Sequence, residues 1–180
     1  MVRCFEDENV LRDEGAINPV SDKEIIDTEL QLKDLDAVDR KIAKTEKLLK
    51  TSDVKVKAEY EILLQCKRTL EKGESIRSLG LTKEERFAIA DLFLLTEKPV
   101  LYVANVDEAS MHTGNKFSDV LKDAVKDENA QVIIMNNSIE AQIAEFETPE
   151  DRQMFMDEYQ MTEPALDLSL IHISDPTRPY

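Results

Sequence analysis

In the first part of the chain, apolar residues recur at spacings of three, four and seven, which is typical of amphipathic helices. Residues 21–24 have the sequence of a capping box, Ser-Asp-Lys-Glu, and predict that a helix begins near Asp22. The pattern continues for about 27 residues, breaks at residues 51–53, and resumes in a second helix that ends near Gly73. Long helices joined by a short turn pack against each other, so the pattern predicts an antiparallel helical hairpin.

A second capping box, from Thr82 to Glu85, opens a denser apolar segment. Apolar side chains lie on more than one side of this predicted helix, and they are Phe87, Ile89, Ala90, Leu92, Phe93, Leu94 and Leu95. We therefore expect the helix to be buried, and to end at residues 97–99, where Pro99 stops it.

From Pro99 onwards the chain alternates between continuous apolar runs and amphipathic segments. Residues 99–104 and 131–135 are apolar runs typical of buried parallel strands, and residues 1–5 indicate a shorter strand. Helical periodicity covers residues 116–128, 138–146 and 149–159. Strands that alternate with helices predict an α/β fold, so we expect part of a parallel-sheet domain joined to the helical hairpin.

Composition narrows the functional classes that the chain can belong to. There are 38 acidic and 23 basic side chains, and the net charge of −15 argues against direct binding of nucleic acid or an anionic membrane. None of the four glycines is followed by Lys and then Ser or Thr, so these residues contain no phosphate-binding loop of the Walker type. No apolar run is long enough to cross a bilayer, and two cysteines cannot form a disulfide framework. We expect a cytoplasmic protein.

Two polar segments follow the predicted strands, at the end of the sheet where open α/β folds bind ligands. Residues 105–108, Asn-Val-Asp-Glu, follow the first strand, and residues 136–138, Asn-Asn-Ser, follow the second. An asparagine amide can bond adenine at N6 and N7, or guanine at N7 and O6. The alternative is that these residues are helix caps and turn formers, a role that Asn, Asp and Ser favour. On spacing alone, the capping interpretation is the stronger one.

Several segments resemble the YchF-type Obg-like ATPases, a branch of the P-loop GTPases. The resemblance rests on Val-Arg-Cys-Phe-Glu-Asp at residues 2–7, on Asn18-Pro19, Ile25-Ile26 and Thr28-Glu29-Leu30, on Lys-Pro-Val-Leu-Tyr-Val-Ala-Asn-Val-Asp-Glu at residues 98–108, and on Ser-Ile-Glu-Ala-Gln-Ile-Ala-Glu at residues 138–145. It runs in order from Val2 to about Leu166. It implies that residues 1–20 and 81–166 belong to a P-loop GTPase-like nucleotide-binding domain, into which residues 21–80 insert a helical coiled-coil arm.

The same resemblance implies a site for ATP, with GTP less favoured, and makes Asn105 the residue that reads the base. The pocket around the base is then shaped by Val106, Glu108, Asn136, Asn137 and Ser138. Most related enzymes read guanine with Asn-Lys-x-Asp, and here Val106 and Glu108 stand where the Lys and Asp would be. Asn136 and Asn137 depart from the small Ser/Cys-Ala pair that is common at the second segment.

The resemblance further implies a P-loop and magnesium-binding switch regions before Met1, and a TGS domain after Leu166. We therefore expect a central fragment of a ribosome-associated protein that binds and hydrolyses ATP, with Mg²⁺ held only in the intact protein. The ribosome and the nucleotide are the expected partners, and neither membrane nor direct nucleic-acid binding is expected. Because the residues that grip the phosphates are not in this sequence, we expect no hydrolysis by this chain alone.

Two alternatives accompany this interpretation. The first is that the chain is a non-catalytic helical-hairpin interaction module with a vestigial α/β half. The second concerns residues 167–180, which do not resemble the family's continuation and look like translated sequencing adapter. A genuine terminal tail is the alternative for that stretch.

Overall fold

The computed structural model describes residues 1–7, 16–49, 53–128, 130–162 and 164. The predicted tail at residues 167–180 lies outside them. The strands and helices are β1 (Val2–Arg3), α1 (Pro19–Leu48), α2 (Val54–Glu71), α3 (Lys83–Ala88), β2 (Leu101–Asn105), α4 (Lys116–Val125), β3 (Gln131–Met135), α5 (Asn137–Glu145) and α6 (Pro149–Glu158). Short 3₁₀ helices cover Ile76–Leu79, Ala90–Leu92 and Glu108–Ser110. The chain divides into two compact units, one formed by residues 1–22 and 100–180 and the other by residues 23–99.

The first unit is built on a parallel sheet with the strand order β1-β2-β3. Val2 pairs with Ala104, and β2 pairs with β3 in a register that runs from Leu101 opposite Gln131 to Asn105 opposite Met135. The parallel α/β prediction is therefore confirmed. The hydrophobic core of this sheet is formed by Val2, Cys4, Tyr102, Ala104, Val106, Leu121 and Val125, so β1, β2 and α4 share one apolar interior.

The second unit contains α1 from Lys23 onwards together with α2 and α3. Lys41 of α1 pairs with Glu59 of α2 at 2.9 Å, and Lys67 of α2 pairs with Asp39 of α1 at 2.7 Å. Asp39 precedes Lys41 along α1, whereas its partner Lys67 follows Glu59 along α2. The two helices therefore run in opposite directions here. Their shared core is formed by Val38, Ile62, Leu63, Cys66 and Leu70.

The start of α1 differs from the prediction. The helix begins at Pro19 rather than near Asp22, and the Oδ1 of Asn18 accepts a hydrogen bond from the Ser21 backbone N–H at 3.2 Å. Asn18 is therefore the capping residue, and the predicted capping box at Ser21 is wrong. The physical reason is that Asn-Pro is the stronger start signal, because asparagine caps well and proline suits the first helical position.

The buried helix predicted after Thr82 is also wrong in its length and burial, although its capping box is confirmed. The Glu85 N–H donates to Thr82 Oγ1 at 3.2 Å, and the Glu85 carboxylate accepts from the Thr82 N–H at 2.8 Å. The helix α3 then ends after six residues. Phe87 is 85% exposed and Phe93 is 78% exposed, whereas Ile89 and Leu94 are buried in the hydrophobic core. Local apolar density therefore did not decide which side chains are buried.

A buried carboxylate joins α1 to the segment after α3. Asp34 is only 3% exposed, and its oxygens accept hydrogen bonds from the N–H groups of Leu95 and Thr96 at 2.9 and 2.7 Å. The Thr96 hydroxyl also donates to Asp34 at 2.7 Å and accepts from the Ile76 N–H at 3.3 Å.

Across the ranges that the structure describes, no helix combines the length and the apolar character that crossing a membrane requires.

Candidate functional site

The two polar segments predicted from the sequence lie side by side at one edge of the sheet. Asn105 is the last residue of β2, and its partner in the register is Met135, the last residue of β3. The Val106 N–H donates to the Met135 carbonyl at 2.9 Å and extends the pairing by one residue. Because both strands run in the same direction, the residues that follow them emerge at the same edge.

Asn105 contacts the second segment directly. Its Oδ1 accepts a hydrogen bond from the Asn137 backbone N–H at 2.9 Å. Within the described part of the chain, its Nδ2 has no hydrogen-bond partner, and the residue is half-buried. The amide of Asn105 is therefore held at one end, and it has hydrogen-bond donors to offer at the other.

Asn136 has both ends of its amide engaged. Its Oδ1 accepts from the Ile139 N–H at 3.0 Å and caps α5, and its Nδ2 donates to the Val106 carbonyl at 2.9 Å. The capping interpretation therefore applies to this residue. A side chain with both polar groups used in this way holds the two segments together and has little left for a ligand.

The remaining predicted residues take different positions. The Val106 side chain is 1% exposed and belongs to the core, so this residue reaches the second segment through its backbone. Glu108 is exposed on the 3₁₀ helix that Asp107 caps through a 2.9 Å bond from the Ser110 N–H. Asn137 and Ser138 are exposed in the first turn of α5. The structure thus brings Asn105, Val106, Asn136 and Asn137 together, and it places Glu108 and Ser138 on the surface.

Sequence reasoning missed a second asparagine of the same kind. Asn115 caps α4, where its Oδ1 accepts from the Phe117 and Ser118 N–H groups at 3.0 and 3.1 Å. Its Nδ2 donates to the carbonyl of Cys4, just after β1, at 2.7 Å. The signal in the sequence was an asparagine directly before an amphipathic helix.

A cavity of about 200 Å³ lies beside Asn136 but is not lined by Asn105. Its walls include Met111, His112, Ile139 and the buried carboxylate of Glu140. His112 Nε2 lies 2.9 Å from the Tyr159 carbonyl and connects this region to the end of α6. The Asn105 side-chain amide therefore does not face this cavity.

Titratable chemistry is sparse around the two segments. Burial raises the pKa of the Cys4 thiol to about 11, and the nearby Asp22 carboxylate adds to the rise. A thiol in this state is protonated at neutral pH and is a poor nucleophile. No group of three or more His, Cys, Asp or Glu side chains that could hold a metal ion exists among the residues that the structure places. Besides the Asp107 carboxylate, which caps a 3₁₀ helix, and the exposed Glu108 carboxylate, the polar groups of the two segments are amides, the Ser138 hydroxyl and backbone groups.

Known proteins are similar to this chain in sequence and in fold. No protein-family model matches the chain. It is 38% identical to the Ribosome-binding ATPase YchF of Bacillus subtilis (strain 168) over 169 residues, which are 93% of this chain and 46% of that protein. The Ribosome-binding ATPase YchF of Escherichia coli O157:H7 is 39% identical over 166 residues, 92% of this chain and 45% of that protein. A solved structure, that of the Schizosaccharomyces pombe YchF GTPase, matches with a TM-score of 0.76 and 26% identity over 93% of this chain and 47% of that one.

The chain thus spans about half the length of the curated relatives it matches. The match takes in more than nine-tenths of the chain, so it includes both the sheet-bearing unit and the helical unit. Sequence identity and fold agree with the resemblance inferred from the segments at residues 2–7, 98–108 and 138–145. Over more than nine-tenths of its length, the chain is similar in sequence to the Ribosome-binding ATPases YchF and similar in fold to the YchF GTPase.

Proposed function

We propose that the two polar segments form the base-recognition half of an ATP site in a ribosome-associated nucleotide hydrolase. The observation that carries the proposal is the 2.9 Å hydrogen bond from the Asn137 N–H to Asn105 Oδ1, which joins the two segments at the carboxyl ends of β2 and β3. Ligands of open α/β sheets bind at this edge. The names of the relatives, Ribosome-binding ATPase YchF and YchF GTPase, support the nucleotide and the ribosome as partners.

Asn105 is the residue that contacts the base in this proposal. Its Nδ2 is a donor, and the N7 atom of a purine ring is an acceptor. In the Asn-Lys-x-Asp motif with which related enzymes read guanine, the last position is an Asp, and here it is Glu108. Glu108 is exposed on a 3₁₀ helix. The replacement of that Asp favours ATP over GTP. Val106 contributes its backbone, and Asn137 and Ser138 border the ring from the start of α5.

The described residues suit the base better than they suit the phosphates. The sequence has no Gly-rich loop that ends in Lys-Ser or Lys-Thr, and the described part of the chain has no acidic cluster for Mg²⁺. Phosphate and Mg²⁺ contacts are therefore assigned to none of the described residues. Mg²⁺ bound with the nucleotide would neutralise phosphate charge.

We further propose that residues 21–80 form a helical arm inserted into the nucleotide-binding domain, which consists of residues 1–20 and 81–166. Residues 81–99 of that proposed domain pack in the compact helical unit. The opposite directions of α1 and α2 along the Lys41–Glu59 and Asp39–Lys67 pairs support an antiparallel arm. The alternative, a non-catalytic interaction module, is not favoured, because the family match extends through the α/β part as well. Co-sedimentation of the chain with purified ribosomes, with and without ATP, tests the partner.

The experiment for base recognition is an NMR titration of the ¹⁵N-labelled chain with adenosine and guanosine. We expect adenosine to shift the Asn105 side-chain and Asn137 backbone signals, and Asn105→Ala to weaken binding by about fivefold or more. Asn115→Ala removes a comparable cap at a different strand end and should leave the affinity unchanged. Absence of adenosine-dependent shifts in the wild-type chain would refute the proposed base site, and tighter guanosine binding would refute the ATP preference.

A further inference from the structure

Asn136 and Asn115 make the same two kinds of hydrogen bond. Each caps the helix that follows it through Oδ1, and each donates its Nδ2 to a carbonyl just beyond the end of an adjacent strand. For Asn136 that carbonyl belongs to Val106, at 2.9 Å, and for Asn115 it belongs to Cys4, at 2.7 Å. The two residues therefore form a natural pair for comparison.

Asn136 differs from Asn115 because a second hydrogen bond between the same two segments lies next to the one that Asn136 donates. Residues 105 and 106 are bonded to residues 137 and 136 respectively, so two hydrogen bonds connect the same two segments at consecutive positions. Because Asn136 and Asn137 are adjacent in the chain, we expect loss of the Asn136–Val106 bond to weaken the neighbouring bond from the Asn137 N–H to Asn105 Oδ1. That second bond is the one that orients the Asn105 amide.

We propose that Asn136 is a positioning residue of the purine site, which rests on the function proposed above. It holds the start of α5 against Val106, and thereby keeps the Asn137 N–H on Asn105 Oδ1. The Asn105 amide is fixed with its donor end available. A donor at this position selects purines, whose N7 is an acceptor, and pyrimidines have no equivalent atom.

Asn136→Asp separates this role from simple helix capping. The substitution keeps an oxygen acceptor for the Ile139 N–H, and aspartate caps helices as well as asparagine does. It removes the Nδ2 donor and places a carboxylate oxygen opposite the Val106 carbonyl, so the hydrogen bond between the segments is replaced by repulsion while the helix cap is kept. Asn115→Asp makes the same change at α4 and is the matched control.

The first experiment needs no ligand. Hydrogen exchange and ¹H–¹⁵N spectra are recorded for the full chain and for the two variants. In Asn136→Asp we expect the Asn137 N–H to lose protection by about fivefold, the effect of one neutral hydrogen bond, and the Asn105 side-chain signals to move. Asn115→Asp should change neither. If Asn137 and Asn105 are unaffected by Asn136→Asp, the positioning role is refuted, whether or not nucleosides bind.

The second experiment titrates the same three proteins with adenosine and with cytidine. We expect Asn136→Asp to weaken adenosine binding by about fivefold while Asn115→Asp binds as the wild type does. Cytidine should produce no shift at Asn105 in any of them. Equal adenosine affinity in the wild type and Asn136→Asp refutes the positioning role. A wild-type chain that does not respond to adenosine refutes the base site itself, and the ligand-free experiment still decides the claim about Asn136.

Discussion

Removal of the Asp34 carboxylate should destabilise the helical unit more than any surface charge change. Asp34 is 3% exposed and accepts three hydrogen bonds of 2.7 to 2.9 Å, two from backbone N–H groups and one from the Thr96 hydroxyl. Bonds to a charged acceptor contribute about 1.5–3 kcal/mol each, and the donors left behind lose their partner in a buried setting. The three bonds are not additive, and burial of the carboxylate offsets part of their sum.

We expect Asp34→Ala to lower the free energy of unfolding by about 3 kcal/mol, and Asp34→Asn by about 2 kcal/mol. The amide of Asn keeps one acceptor oxygen, but it turns a donor towards the N–H and hydroxyl donors of Thr96. Urea unfolding followed by far-UV circular dichroism measures the loss. Hydrogen exchange at Leu95 and Thr96 reports it locally, because their N–H groups are the ones that lose the acceptor.

The matched control is Asp36→Asn on the same helix. The Asp36 side chain is 60% exposed and pairs with Arg40 at 3.1 Å, so its loss should change stability by less than about 0.5 kcal/mol. The reasoning is refuted if Asp34→Asn and Asp36→Asn have the same midpoint in urea, or if exchange at Thr96 stays at the wild-type rate.

Three further outcomes follow from the structure. Gly114→Ala should cost about 2 kcal/mol or more in urea unfolding, because a Cβ at φ +75° would lie 2.5 Å from Ser118 Oγ, whereas Gly80→Ala at φ +58° meets nothing within 4 Å and should cost about 1 kcal/mol. Burial raises the pKa of both the Cys4 and the Cys66 thiol to about 11, so a thiol reagent at about pH 8 should label neither in the folded chain and both in urea. In a single-turnover assay with Mg²⁺, the purified chain should release no phosphate from ATP above the buffer rate, and measurable release would contradict the assignment of the phosphate contacts to other residues.

The strands, and the polar segments that follow them, were predictable because the sequence patterns that indicate them are local. The apolar runs before Asn105 and Asn136 have the length and continuity of buried parallel strands. β3 has the predicted bounds, and β2 begins two residues and ends one residue later than predicted. Parallel strands end at a common edge, so the sequence also predicted that residues 105–108 and 136–138 lie at the same end of the sheet. The contacts between them in the structure agree with that expectation.

Burial in the helical unit was predicted less well. Phe87 and Phe93 are exposed, although they are among the most apolar residues of their segment, and the acidic Asp34 is buried. Burial depends on which side of a short helix faces its neighbours. Asp34 lies more than 60 residues along the chain from the N–H groups that it accepts from, so no local pattern marks it as a buried acceptor.

The sequence by itself determined the order of strands and helices, the parallel sheet, and the strand ends at which a ligand can bind. These depend on periodicity and on residues within a few positions of each other. Only the tertiary structure decided how each asparagine is used: Asn136 has both ends of its amide engaged, and Asn105 has one end engaged. The reason is that the hydrogen bonds that join the two segments are non-local: Val106 and Asn136 are 30 positions apart, and Asn105 and Asn137 are 32 positions apart. Such a bond forms only where folding brings donor and acceptor within about 3 Å.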